Sequence, residues 1–285
     1  MSEIGHVEPG ALRGQYQARG PLAVFGCAWH YRQLVARLTV REIEARFRGS
    51  LLGKVWAGIV PLFMLSLYTF GLSVLLKLRW PGLQGGTLQV SLLYFSGLIL
   101  FDFVLECLMR APALIGEQIA YVKKVLFPLE ILAWVVVGGA LFRVAVGSAI
   151  LLAFYLAIDG LPPLSALAAP LLVLPLALAA IGFTWFLSAI GVFVRDFRHA
   201  VLVLAPVTMF LTPIFFPLST VAEPLRSLLY LNPLTFIVES MRATLFLGQW
   251  PSWPALALYT AIAWTFAWAG RTWFLFVRGE FADVV

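Results

Sequence analysis

Three ionisable residues stand inside long apolar stretches of this chain, and they are where chemistry would first be sought. Asp102 and Glu106 are four residues apart, hence on one face of a helix, and Arg143 lies in the next apolar stretch. A charge at membrane depth is costly and is usually paired or put to work, in a proton relay or on a substrate path. With a rise of 1.5 Å per residue, Asp102 falls about 4 Å from the centre of its stretch and Arg143 almost at the centre of its own. If the two stretches form an antiparallel hairpin, those depths match. The match favours a structural ion pair between Asp102 and Arg143 over a relay or a substrate contact.

Other reactive patterns do not assemble. His6, His30 and His199 are far apart and offer no metal-ligand spacing. Cys27 and Cys107 form neither a disulfide nor a metal pattern, and Cys107 sits in an apolar span as a small hydrophobe. Gly49-Ser50-Leu51-Leu52-Gly53-Lys54-Val55 resembles a phosphate-binding loop. It is one residue short, lacks the hydroxyl residue after Lys54 and runs straight into an apolar span, so a nucleotide site is not expected on this chain.

The elements that must position these residues are membrane spans. Of 285 residues, 61% are hydrophobic and 12% charged, whereas soluble globular chains carry about a quarter charged. Mean hydropathy is +0.93. The net charge of +6 is scattered between apolar runs, which argues for cytoplasmic flanks and membrane lipids rather than nucleic acid. The first run of spanning length starts near Val55, too late for a cleavable signal. Residues 1–28 are mixed and Gly-rich and read as an irregular cytoplasmic tail. Residues 29–54 read as an amphipathic interface helix. Its two apolar stripes (Tyr31, Leu34, Val35, Leu38; then Ala36, Val40, Ile43, Phe47) predict a bend near Leu38–Thr39, and Arg37, Arg41, Glu44 and Arg48 form a polar stripe in its second half.

The transmembrane part, residues 55–285, divides into spans at about 55–76, 90–109, 131–157, 167–194, 200–218 and 253–277. Basic residues from Arg32 to Lys54, with Arg110, Lys123, Lys124, Arg195, Arg198, Arg271 and Arg278, fall on one side; Lys77, Arg79, Arg226 and Arg242 fall on the other. That bias places both termini in the cytoplasm. Residues 110–128 form a cytoplasmic connector, polar around Glu117, Gln118 and Lys123 and carrying Tyr121. Between the fifth and sixth spans come two short amphipathic pieces, 222–231 and 234–247, separated by Asn232-Pro233. Neither reaches the roughly 20 residues of a full crossing, and proline forbids one continuous helix. A re-entrant pair at the outer mouth of a conduit is expected, with Asn232 and Pro233 at its dip and Glu239 and Arg242 facing the lumen or paired at its rim. The predicted fold is therefore an all-α integral membrane protein of six transmembrane helices, with an N-terminal interfacial helix and short re-entrant helices.

Five stretches carry a resemblance. They are Arg46-Phe47-Arg48-Gly49-Ser50-Leu51-Leu52-Gly53-Lys54-Val55-Trp56, the run from Tyr121 to Ile131 with Phe127-Pro128-Leu129-Glu130, Arg195-Asp196, Leu211-Thr212-Pro213-Ile214-Phe215-Phe216-Pro217, and Leu231-Asn232-Pro233-Leu234-Thr235. In order and in register they resemble the membrane subunit of polysaccharide-exporting ABC transporters, nearest to the O-antigen (lipopolysaccharide) exporters, with capsule and teichoic-acid exporters as relatives. The resemblance implies a homodimeric channel in the bacterial inner membrane. It implies two copies of a separate ABC ATPase carrying ATP and Mg, no cofactor on this chain, and a lipid-linked polysaccharide as cargo. It makes residues 110–128 a coupling segment. The ATPase interface is then expected at Arg37, Arg41, Glu44, Arg48, Glu117, Gln118, Tyr121 and Lys123. Aromatic faces stack on sugar rings, so Tyr68, Phe70, Phe210, Phe215 and Phe216 are expected to line the channel. A membrane-embedded polyprenyl-sugar transferase is the alternative of a different class. It would need titratable residues clustered at one membrane face.

Overall fold

In lipid the backbone has no hydrogen-bond partner but itself, so long apolar runs must close into helices. The computed structural model describes residues 20–75, 80, 86–122, 127–194 and 196–284, and among them every regular element is helical. Four helical stretches are long and apolar enough to cross a membrane: Gly53–Leu72, Thr87–Ala113, Ile131–Ile158 and Leu164–Phe193. The chain is a multi-pass membrane protein.

The N-terminal side departs from its expected layout. A helix, α1 (Ala23–His30), already forms inside the segment read as an irregular tail, and it buries Ala23, Val24 and Cys27. Burial pushes the Cys27 thiol up to about 12, with the neighbouring Glu130 charge adding to it. Helix α2 (Arg32–Phe47) follows a break at Tyr31 and then runs without interruption, so the bend lies at Tyr31 and not at Leu38–Thr39. The reason is that α2 buries no residue fully and so need not turn both apolar stripes toward one surface. One flank rests on a later helix, Ile131–Ile158, at Gly138, where an added Cβ would meet Thr39 at 3.0 Å. The loop that mimics a phosphate-binding motif is a turn: Gly49 and Gly53 adopt φ of 82° and 52°, values that suit glycine.

Helix α3 (Trp56–Tyr68) continues as π-helix through Thr69–Leu75. It is followed by α4 (Thr87–Arg110), a 3₁₀ turn at Ala111–Ala113, another at Gly116–Gln118 and the short α5 (Ile119–Val122). Then come α6 (Ile131–Ile158) and α7 (Ala169–Phe193), prefaced by a 3₁₀ segment, Leu164–Ala168. Helix α8 (Phe197–Phe210) is shorter than the span expected at 200–218: 14 residues rise about 21 Å, against a hydrocarbon core of about 30 Å. Pro213 and Pro217 lack the N–H groups that would extend it. Helices α9 (Leu225–Tyr230), α10 (Pro233–Phe246), α11 (Trp253–Val277) and α12 (Phe281–Val284) complete the chain.

The core is centred on α7. A Cβ on Gly270 would lie 2.5 Å from the Gly182 carbonyl, and one on Gly191 would lie 2.1 Å from that of Pro112, so backbones touch where small residues allow it. Trp185 of α7 is fully buried and donates to the Glu130 carbonyl at 2.9 Å. Glu130 in turn pairs with Arg278 at 3.0 Å, closing the C-terminal end of α11 onto the start of α6. By contrast α3 buries only Leu65, and α8 buries none of its described side chains.

Candidate functional site: two polar assemblies along one helix

Helix α4 carries two polar assemblies, one near its middle at Gly97 and one toward its C-terminal end at Glu106. Gly97 and Glu106, nine residues apart, are separated by about 14 Å along its axis.

At Gly97 the organiser is Arg242. Asn232 caps α10: its Oδ1 accepts from the Leu234 amide at 2.9 Å, and Pro233 at the first helical position has no N–H to strand. The same Asn232 donates through Nδ2 to the Leu211 carbonyl at 3.0 Å and to the Thr212 hydroxyl at 2.9 Å. Two turns along α10, Arg242 is only 2% exposed. It donates to the Pro213 carbonyl at 2.6 Å, to the Ile214 carbonyl, and to Glu239 at 3.0 Å. Its guanidinium also sits 4.6 Å from the centre of the Trp80 ring. The cluster closes on Gly97, where a Cβ would come within 2.9 Å of the guanidinium. Residues 211–217, left without helical partners by their prolines, thus have several carbonyls taken up by Asn232 and Arg242. Two of the stretches that carried the resemblance are physically one unit.

Toward the C-terminal end Glu106 is the hub. Arg143 of α6 and Arg46 of α2 both pair with it, Arg46 reaches Glu42 at 3.7 Å, and Glu42 also holds Arg110. The result is a ladder of alternating charge joining α6, α4 and α2. Gly138 and Gly139 let α2 lie close enough to take part. The expected pair Asp102–Arg143 is therefore corrected: Arg143 bonds Glu106. Ile99 packs on Gly147, which sets Arg143 level with Phe103, between the two carboxylates and nearer to Asp102 in depth. Helical side chains lean toward their own N-terminus. In antiparallel helices this tilts Arg143 and Glu106 toward each other and Asp102 away.

The remaining site residues divide. Arg37, Arg41, Glu44 and Arg48 are exposed on or just after α2, as is Glu117, with Gln118 and Tyr121 half-buried nearby in the chain; Lys123 lies outside the described residues. Arg41 donates to the Tyr121 hydroxyl at 2.7 Å, so α2 and α5 are joined within the chain, and Glu44 pairs with Lys54 at 3.0 Å. Tyr68 meets Phe215 with ring centres 5.9 Å apart, and Phe215 meets Tyr94 at 6.3 Å. Phe70 instead lines a groove against Phe154 and Ile158, and Phe210 is exposed at the end of α8, so the five aromatics do not share one surface within this chain. Arg242 pairs with Glu239, one of the two expected alternatives, and it is buried. Lys77, Arg79, Lys124 and Arg195 lie outside the described residues.

Sequence reasoning missed Arg46 as a partner of Glu106, and Glu42 and Arg110 as the next rungs of the ladder. The signal was available: Glu42 and Arg46 are four apart, on a different face from the exposed stripe. Gly97 in an apolar span likewise marks a close approach.

These features describe a helical membrane protein whose polar groups tie helices together along the spans. Comparison with known proteins makes the class specific. Residues 33–246 match the ABC-2 type transporter family, and the chain belongs to it. It is 28% identical over 259 residues to the O-antigen export system permease protein RfbA of Myxococcus xanthus, covering 90% of this chain and 97% of that protein. To the protein of the same name from Klebsiella pneumoniae it is 21% identical over 212 residues, covering 73% and 78%.

Proposed function

We propose that this chain is the channel-forming permease of an ABC transporter that moves lipid-linked O-antigen polysaccharide out of the cytoplasm. The observation that carries the reading is the similarity to an O-antigen export permease along 90% of the chain. In this reading α8, extended by residues 211–217, and the 25-residue α11 are the fifth and sixth spans. Helices α9 and α10 form the re-entrant pair on the periplasmic side, gating the outer mouth around Asn232, Pro233 and Glu239. Both termini are cytoplasmic and the membrane is the bacterial inner one. A second copy completes the channel, and the outward apolar flanks of α3 and α8 support that pairing. Aromatics from both copies, Phe70 and Phe210 among them, line the path.

ATP and Mg belong to a separate ATPase, one copy per permease. The exposed stripe Arg37, Arg41, Glu44 and Arg48 and the connector carrying Glu117, Gln118, Tyr121 and Lys123 receive it. The Arg41–Tyr121 bond supports their acting as one docking surface. Force applied there reaches the spans through the charge ladder, because Glu42 and Arg46 belong to the same helix.

The test is genetic and biochemical. Deleting the gene from its native cell should strip O-antigen from the surface while lipid-linked polymer accumulates inside, and the wild-type gene should restore it. Unchanged surface O-antigen, or loss of a chemically different glycan alone, would overturn the substrate assignment.

A further inference from the structure

Between α2, α3, α4 and α6 lies a cavity of about 620 Å³. Its wall mixes aromatic faces, Trp56, Tyr68 and Phe95, with Asp102, Glu106 and the ladder arginines. Asp102 is exposed at this wall, and among the described residues no hydrogen bond or ion pair takes up its carboxylate. A carboxylate with no bonded partner in the middle third of a span, balanced only by the nearby Arg143 charge, is expensive unless something there uses it. We propose that this cavity is a carbohydrate subsite, in which Asp102 accepts hydrogen bonds from sugar hydroxyls and Tyr68 stacks on the ring. The inference rests on the proposed export of a polysaccharide and specifies where in the chain one sugar is held.

Charge decides between the two halves of a lipid-linked glycan. Arg46, Arg110 and Arg143 are matched by Glu42, Glu106 and Asp102, so the assembly is neutral as a whole. A diphosphate would need surplus cations and would meet the Asp102 carboxylate. A neutral polyol needs both acceptors and donors. Asp102 supplies the first, and the half-exposed Arg143 guanidinium supplies the second. The next aromatic beyond Tyr68 is the half-buried Phe215, with ring centres 5.9 Å apart, while Tyr94 and Trp80 behind it are buried.

The experiment places p-benzoylphenylalanine at Met64, in the cavity wall, or at Leu152, exposed on α6 away from it. Both are expressed with the cognate ATPase in cells whose polysaccharide is labelled with radioactive sugar. Irradiation should attach sugar label to the Met64 variant and not to the Leu152 variant. The label should survive mild acid, which cleaves the glycosyl diphosphate bond. Label released by mild acid would mean that the cavity holds the polyprenyl diphosphate end, and the proposal would fail. No adduct at Met64 in a strain that still exports would also sink it, while leaving the export function intact; no export by the wild-type chain would overturn both. Asp102→Leu should lower adduct yield and export about tenfold, the effect of losing one charge-assisted hydrogen bond, and Asp102→Asn less. Tyr68→Leu provides a second reading if the Asp102 variant does not accumulate.

Discussion

The two polar assemblies on α4 use the same residue type in opposite ways. At Gly97, Arg242 is buried and spends its donors on the backbone carbonyls of Pro213 and Ile214 and on Glu239. Those partners are backbone carbonyls and a residue of the same helix, fixed by the fold. At the Glu106 end, Arg143, Arg46 and Arg110 share two carboxylates, and Arg143 is half exposed beside an open cavity with Asp102 waiting one turn away. Partners there are interchangeable. The first arrangement holds two segments in one geometry; the second joins three helices while leaving them several nearly equivalent pairings. The proposed transporter, driven from its cytoplasmic face, would use both.

The largest effect is expected where the clasp is broken. Arg242→Met should destabilise the protein by about 3–5 kcal/mol, since it strands buried carbonyls and an acidic partner together. Thermal unfolding in detergent, or the amount retained in the membrane, reads this out. A loss no larger than that of Arg46→Met would erase the distinction between the two assemblies. Next comes the hub. Glu106→Gln should cost about 2–3 kcal/mol, and adding Arg143→Gln should recover part of it, whereas Asp102→Asn and Arg143→Gln should couple more weakly. A cycle that couples Asp102 and not Glu106 to Arg143 would reverse the assignment. Asn232→Ala removes a helix cap and two tethers to residues 211–212, and about 1–2 kcal/mol is expected. The smallest change is Tyr121→Phe: the Arg41 bond is exposed, so stability should fall by under about 1 kcal/mol while ATPase co-purification weakens.

The spans were legible because hydropathy and helix length are local properties. The helices at Ile131–Ile158 and Trp253–Val277 start or end within a residue or two of the expected limits. The end of α8 was not legible from apolar content, because residues 211–218 are as apolar as the helix before them. What stops the helix is two prolines together with donors to the free carbonyls that follow it, supplied by residues some 20 to 30 positions away. The Arg143 partner was misread for a related reason. Depth along the span places Arg143 nearer Asp102, and the tilt of side chains on antiparallel helices carries it to Glu106 instead. Arg242 carried a charge at a position that suggested water, and only the tertiary arrangement of Trp80, Gly97 and two carbonyls accounts for its burial. The meeting of residues 211–217 with Asn232 was implicit in both stretches carrying the same resemblance, but no local pattern joins them.

The claim that one assembly holds while the other rearranges is tested most directly by distances within a single labelled copy of the assembled transporter. Spin labels at Ala45→Cys and Ser148→Cys bridge α2 and α6 across the ladder; labels at Ser219→Cys and Ser240→Cys bridge the segment beside the clasp and α10. Both native cysteines are buried, so background labelling should be low. Trapping the ATPase with ATP should shift the Ala45–Ser148 distance by several ångströms and leave the Ser219–Ser240 distance unchanged. A fixed ladder distance with a moving outer pair would contradict the account.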